Sequence, residues 1–462
     1  MNKLSRRDLL KVAGAGGLVA IYDTCRSRSH ESPLDLAAPA SAAPALSTPD
    51  YRIEIAPLTL DLSPQRRITT TAYNGHVPGP LLRLKENAPV TLEVTNHSSF
   101  PEVVHWHGLH LPSAIDGAME EGTPSIPPGS TARYTFTPLP AGFRWYHTHT
   151  MAMGDFSRAQ YGGQHGFLLV EPRDNPARYD QEFFLALHDW NAHLLASDDG
   201  AMNPTYEVST INGKTLGFGE PLRVRQGQTV VLHVLNSSPT EIHWVSFAGH
   251  QMRVVALDGN PVPTSREVSM LRLAPAERVS VIVAMNNPGV WVFGEVRKHV
   301  QAAGMGIVVE YAGASGAPQW QQPTRLQWDY EQFGADAGDG LPATVVPLVF
   351  DSKFRGHGAM EAWTINGKSF PAASVAPWRA GQRYILKLVN ASADDHPLHL
   401  HRHRFELRGA GKRTGVMKDV VLVDAHTTRE VEVIADNPGP TLFHCHQQNH
   451  MDLGFMLLLN YG

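Results

Sequence analysis

A short pattern that occurs three times along the chain limits what it can fold into. Residues 88–96 (Ala-Pro-Val-Thr-Leu-Glu-Val-Thr-Asn) are paralleled by residues 228–236 and again by residues 381–390, each a strand-like run closed by Asn. The copies begin about 140 and 153 residues apart, the length of an ordinary domain. A second pattern keeps the same spacing: Tyr73-Asn74-Gly75, Ile211-Asn212-Gly213-Lys214 and Ile365-Asn366-Gly367-Lys368. Both point to three related β-sandwiches in tandem, which a chain of 462 residues has room for.

The expected bounds are 46–172, 181–312 and 344–462. A polar bridge near 172–180 joins the first two, and a Gly-, Gln- and Pro-rich stretch at 312–343 joins the last two. In the first domain, strands are expected over 51–62, 67–73, 90–96, 131–137 and 166–171. They are separated by turn signals such as Pro78-Gly79-Pro80 and Pro127-Pro128-Gly129. No long apolar helical pattern appears, so the fold class is all-β. A formal charge of −5 offers no basic footprint, which argues against a nucleic-acid partner.

Ser5-Arg6-Arg7-Asp8-Leu9-Leu10-Lys11 resembles a twin-arginine export signal, and the apolar stretch 12–21 behind it is too short to span a bilayer. The expected partner during export is the twin-arginine translocase, and the expected location is periplasmic or otherwise exported. Cleavage near Ala42 would take away six cations and four anions, moving the formal charge from −5 to −7. The mature form would then have no membrane span. Of the two cysteines, Cys25 lies in this leader, so Cys445 is the lone thiol of the body and a disulfide framework is excluded.

Cys445 would read as an inert core residue but for its neighbours, His444 and His446. Three further His-x-His pairs occur: His105-Trp106-His107, His147-Thr148-His149 and His399-Leu400-His401. With His at about one residue in twenty, chance supplies roughly one such pair in a chain this long. On a strand, residues i and i+2 share a face, so each pair aims two imidazoles at one place while the residue between points away. Cys445 then faces a different site from His444 and His446. A thiolate with two imidazoles suits a blue copper centre, and His396 and His450 are at hand to complete it.

The motifs His105-Trp106-His107-Gly108, Trp145-Tyr146-His147-Thr148-His149, His396-Pro397-Leu398-His399-Leu400-His401 and His444-Cys445-His446 with His450 resemble those of the three-domain multicopper oxidases: laccases, bilirubin oxidases and copper-efflux oxidases. The resemblance runs from about residue 50 to the end of the chain. It implies three cupredoxin-like Greek-key sandwiches and four copper ions. Type 1 copper would use His396, Cys445 and His450; type 2 copper His105 and His399. The type 3 pair would use His107, His147, His149, His401, His444 and His446. Single electrons from a reductant would pass by way of Cys445 to the trinuclear cluster, where O2 is reduced to water. Asp116, eleven residues after His105, matches an acidic position near the cluster and is the expected proton relay.

The chain departs from the family pattern in its tail. Phe455 stands at the axial position of type 1 copper and cannot coordinate, which implies a three-coordinate site of raised potential, with Met456 turned away as core. Arg402 stands where the family usually has Gly, and His403, which follows it, is expected to play a polar structural role rather than line the substrate approach. Met451 replaces an acid that many bacterial members carry, with Asp452 next to it, so a second proton relay is in question. His243 and His250 are expected to be structural residues of a copper-free middle domain. His110, His165, His188, His193, His299 and His357 are expected to be surface or hydrogen-bonded.

Phenols and aromatic amines are the expected donors. Cu(I) or Fe(II) oxidation is the alternative, weakened by the scarcity of Met around 354–363, where Met360 stands alone, although Asp419 aligns with an acid of the efflux enzymes and Met151 and Met153 form a tight pair. A copper-free structural protein of the same fold is the remote third reading, opposed by the complete ligand set.

Overall fold

In the computed structural model the repeated patterns turn out to be the same two devices built three times. The strands Val90–Asn96, Thr229–Asn236 and Arg383–Asn390 each end on a buried Asn. Asn96 donates from Nδ2 to the carbonyls of Phe100 and Ile126, Asn236 to those of Glu241 and Leu273, and Asn390 to those of Asp394 and Val423. In each case Oδ1 accepts the amide N–H two residues on, at Ser98, Ser238 or Ser392. A buried amide satisfied on both sides pins the loop that feeds the next strand. In the first and third sandwiches that strand carries the histidines.

The second pattern is a two-residue hairpin turn. Asn74, Asn212 and Asn366 all have φ of 52°, and the glycines after them lie at 71–75°. Two successive positive φ values match the twist of a tight hairpin, and Asn followed by Gly tolerates them best. Each Asn side chain also accepts an amide N–H from the first strand of its own sandwich, at Glu54, Ala186 or Val349.

The structure describes residues 48–174, 179–196, 202–324, 327–338, 340–354 and 360–462. The twin-arginine motif, the apolar stretch 12–21, Cys25 and His357 lie outside them. The described residues form six sheets, two in each third of the chain. In the first third, Tyr51–Ser63, Arg66–Tyr73, Val90–Asn96 and Thr131–Phe136 make one sheet; Gly79–Lys85, Val104–His105, Gly142–Thr148 and His165–Glu171 make the other. Their inner faces share a core of Ile53, Leu92, Val94, Leu84, Val170 and Trp106. Burial of Trp106, which points away from its flanking histidines, anchors the first His-x-His pair to this core. Among the described residues no helix is long and apolar enough to cross a membrane.

Two departures from expectation have simple causes. Pro78-Gly79-Pro80 reads as a turn, yet a strand begins at Gly79. It is the edge strand of its sheet, where a proline's missing N–H is tolerated. The stretch 312–343 is more than a connector. A helical turn among its described residues, Tyr330–Phe333, buries Tyr330 and Phe333, and the Tyr330 hydroxyl donates to Glu277 at 2.5 Å.

Candidate metal centres

Four groups of three histidine or cysteine side chains converge so that their candidate ligand atoms lie within 4.8 Å of one another. His396, Cys445 and His450 make one. The others are His105, His107 and His399; His107, His147 and His446; and His149, His401 and His444. The six histidines pooled in the sequence reading as one type 3 set are thus divided into two triads, and each triad takes one member of the His444/His446 pair. All eleven side chains are buried.

The alternation rule explains only half of this. In all four pairs the first histidine, His105, His147, His399 or His444, sits within the last two residues of a strand. The second histidine lies just beyond the strand in every pair, where a turn aims it. Gly108 (φ 85°) follows His107 and Arg402 (φ 61°) follows His401. The left-handed conformation at Arg402 is held by its buried guanidinium, which donates to the carbonyls of Leu111, Asn437, Pro438 and Pro440 and to Thr441 Oγ1.

At the thiol site, Cys445 Sγ is 3.4 Å from His450 Nδ1 and 3.8 Å from His396 Nδ1. Ser392 Oγ, 2.8 Å from His396 Nε2, orients that ring. Phe455 is fully buried against His396 and Trp363, at centroid distances of 4.7 and 5.7 Å. Met456 belongs to a separate cluster with Leu442, Met451 and Ala118. Burial pushes the Cys445 thiol well up and His396 down to about 3.

Around the other histidines, burial first, with neighbouring imidazoles adding, holds His107, His147, His149, His399, His401, His444 and His446 far below the ordinary imidazole value. They are neutral at physiological pH, the state a metal requires. Asp116 is fully buried, with Oδ2 2.9 Å from His401 Nδ1 and 3.1 Å from His105 Nδ1.

Sequence reasoning missed Glu121. Its Oε1 accepts the Leu442 amide N–H and lies 3.6 Å from His401 Nδ1. Burial, with the Asp116 carboxyl as second cause, pushes it well above the usual carboxylate range. In the sequence it is one of two adjacent acids, the ordinary look of a solvated turn, and only the fold reveals that it is buried.

Asp452 accepts the amide N–H groups of Ala152 and Met153 and the Gln448 side chain, so both oxygens are committed to holding a loop. His403 lies near the Tyr461 hydroxyl at 2.8 Å and also lines a cavity of about 410 Å³ with Gly108, His110, Arg402 and Arg404. Asp419, which aligns with an acid of the efflux enzymes, is 1 % exposed and faces His107, as a structural hydrogen-bond role requires.

The middle sandwich contributes to none of these groups. His243 donates to Asp189 Oδ2 at 2.8 Å and to Glu295 Oε2 at 3.1 Å, and His250 lies 2.6 Å from the Tyr311 hydroxyl. The pairing register is informative here. Val245 pairs with Glu295 as Leu398 pairs with Cys445, so Glu295 stands where Cys445 does in the third sandwich and His243 stands where His396 does.

Family models described as multicopper oxidase match residues 56–175, 181–309 and 347–462, together most of the chain. The chain belongs to the multicopper oxidase family. This oxidase is 28 % identical to the multicopper oxidase MmcO of Mycobacterium tuberculosis, over 97 % of its own length and 92 % of that protein's. It is 25 % identical to copper resistance protein A of Escherichia coli, with 98 % of each chain covered. A crystal structure of a multicopper oxidase from Pseudomonas thermotolerans superposes with a TM-score of 0.69 at 26 % identity, covering 89 % of this oxidase and 98 % of that chain.

The side chains fit the copper that the family implies. Imidazole and thiolate are its preferred donors. Both ring nitrogens of His446 and Nδ1 of His149 are buried with no hydrogen-bond partner among the described residues, a costly arrangement without a ligand.

Proposed function

We propose that this oxidase is laccase-like, coupling four one-electron oxidations of phenols or aromatic amines to the reduction of O2 to water. The observation that carries this reading is the position of Cys445. Its thiol faces His396 and His450, while its two chain neighbours enter two different histidine triads. His396, Cys445 and His450 would hold type 1 copper, His105 and His399 type 2, and the triads His107/His147/His446 and His149/His401/His444 the type 3 pair. Bound copper supplies single-electron acceptance at the thiol site and delivery of four electrons to dioxygen at the histidine site.

The residues around the copper ligands have separable tasks. The backbone on either side of Cys445 offers a short covalent path to His444 and His446. Phe455 and Trp363 keep water from the thiol face. Asp116 would hold a proton at Oδ2, beside His401 Nδ1 and His105 Nδ1, and pass it toward the dioxygen being reduced. Asp116→Asn is expected to slow O2 reduction by about 10²-fold or more, within the range of a lost general acid, while donor oxidation in single turnover changes little. Stopped-flow reduction and reoxidation rates decide this. Equal losses in the two half-reactions remove the relay role.

The test of the whole reading is oxygen uptake by copper-loaded protein with a phenol, compared with Cu(I) and with Fe(II). Faster uptake with the metal ions would favour a metallo-oxidase instead. That second reading is supported by the likeness to copper resistance protein A over almost the full length of both chains.

The bounds 46–172, 181–312 and 344–462 for three domains are supported by the three family matches, which agree with them to within three residues except at the start of the first, where the match begins at residue 56. Export of the folded protein by the twin-arginine translocase, to a periplasmic or outside location, is supported by Arg6-Arg7 and the apolar stretch behind them. Arg6→Lys with Arg7→Lys should keep the protein in the cytoplasm, read by fractionation of producing cells. Unchanged export overturns the assignment.

A further inference from the structure

Behind the histidine site lies a group of charges that the reaction as described does not use. Arg144 comes from the first sandwich, Asp258, Glu277 and Arg278 from the second, and Lys418 and Asp419 from the third; all six are buried. Three are cations and three are anions, so the group is neutral as a whole. Lys418 Nζ lies 2.9 Å from Asp258 and 3.0 Å from Glu277. Arg144 Nη1 donates to the Asp258 carbonyl and approaches Asp419 Oδ2 at 3.4 Å.

The centre of the group is a two-pronged pair. Arg278 donates from Nη1 and Nη2 to the two oxygens of Asp419, at 2.6 and 2.7 Å. Asp419 in turn reaches two histidines of the site. Its Oδ1 is 3.1 Å from His107 Nε2, and its main-chain oxygen is 2.7 Å from His399 Nδ1.

Glycines let this group sit directly against the ligand strands. A side chain on Gly108 would meet Asp419 Oδ2 at 2.7 Å and Arg278 Nη2 at 2.9 Å. At the junction of the first two sandwiches, a Cβ on Gly142 would be 1.9 Å from the Gly259 carbonyl oxygen. Main chain therefore packs on main chain there, one residue from Asp258.

We propose that Arg278, from the sandwich that holds no copper ligand, is a positioning residue for the histidine site, acting through Asp419 on His107 and His399. A planar fork matched to both carboxylate oxygens fixes the direction of the carboxylate, which a point-charge ammonium does not. Alignment of His107 and His399, from the first and third sandwiches, thus depends on the second being docked against Asp419. The proposal rests on the copper reading of the site.

The test uses full-length protein and two replacements. Arg278→Lys keeps the charge and loses the fork. Arg278→Gln combined with Asp419→Asn removes both charges and so guards against a variant that fails to fold. Copper per chain, the visible colour of the thiol site and the electron paramagnetic resonance of the type 2 ion are measured on each. In Arg278→Lys the colour should persist, copper per chain should fall at least twofold, and the type 2 signal should weaken or change shape. In the double variant the loss should be as great or greater. Full copper and an unaltered type 2 signal in a soluble Arg278→Lys protein, with only a lower melting temperature, would overturn the proposal and leave a purely structural role. If the parent itself takes up no copper, it is the copper reading that fails.

Discussion

Cys445→Ser should remove the colour of the copper-loaded protein and reduce oxygen uptake with any donor to the level of the copper-free protein. A thiolate is the soft ligand of the set. The serine hydroxyl is hard and stays protonated, so neither the copper affinity nor the strong sulfur-to-metal absorption survives the exchange. The oxygen also cannot offer the same electronic path toward His444 and His446.

The cost to the fold is smaller. The site is fully buried, and a hydroxyl left without a partner there costs about 1–3 kcal/mol. His450 Nδ1, 3.4 Å from the thiol sulfur, is the nearest acceptor for its hydrogen. The variant should therefore fold and should keep the metal of the histidine triads. Visible spectra, copper per chain and oxygen uptake read all three effects. A blue or active Cys445→Ser protein would sink the oxidase reading.

The second large effect is on stability and belongs to the middle sandwich. His243→Phe should lower unfolding free energy by about 3–5 kcal/mol, the usual cost of removing one partner from a buried charge group. Burial by itself would depress His243, but Asp189 and Glu295 outweigh it and hold the imidazole up at about 10. His243 in turn holds Asp189 and Glu295 down at about 2 each against the opposing effect of burial, and Arg297 helps at Glu295.

The signs follow. A raised histidine stabilises fully below its unfolded value of 6.5, and that stability is lost as pH climbs through about 10. The depressed carboxylates stabilise above their unfolded values of 3.8 and 4.5, and their share is lost as pH falls toward about 2. The cluster is therefore fully effective between about pH 4.5 and 6.5. The parent's denaturation midpoint should decline from pH 6.5 to 10, and in His243→Phe that slope should largely disappear. A variant with the parent's slope would place the titrating group elsewhere.

Much of the molecule is legible along the chain because its constraints are local. The repeated Asn residues make bonds to groups a few residues away or in adjoining strands, and so leave a repeated pattern. His-x-His pairs are legible because each sets two imidazoles two residues apart at the end of a strand-like run. Phe455, five residues past His450, is readable only through the resemblance to the family pattern.

Other features depend on partners from distant parts of the chain and leave no local trace. Glu121 and Glu120 are neighbours with the same charge, yet Glu121 is the one that faces Asp116. Asp419 follows a lysine in the chain, yet the arginines that enclose it come from two other sandwiches. His243 is followed by Trp244 much as His105 is by Trp106, yet its two ring nitrogens meet carboxylates.

The sequence by itself therefore determined three tandem sandwiches, the eleven candidate ligand side chains and the thiol between two histidines, because each is written in spacing that a strand or turn translates directly into direction. Tertiary structure alone decided how the six pooled histidines divide into two triads, which acids stand beside them, and that the middle sandwich braces the site. Those outcomes depend on which faces meet when the sandwiches dock, and docking brings together side chains more than a hundred residues apart.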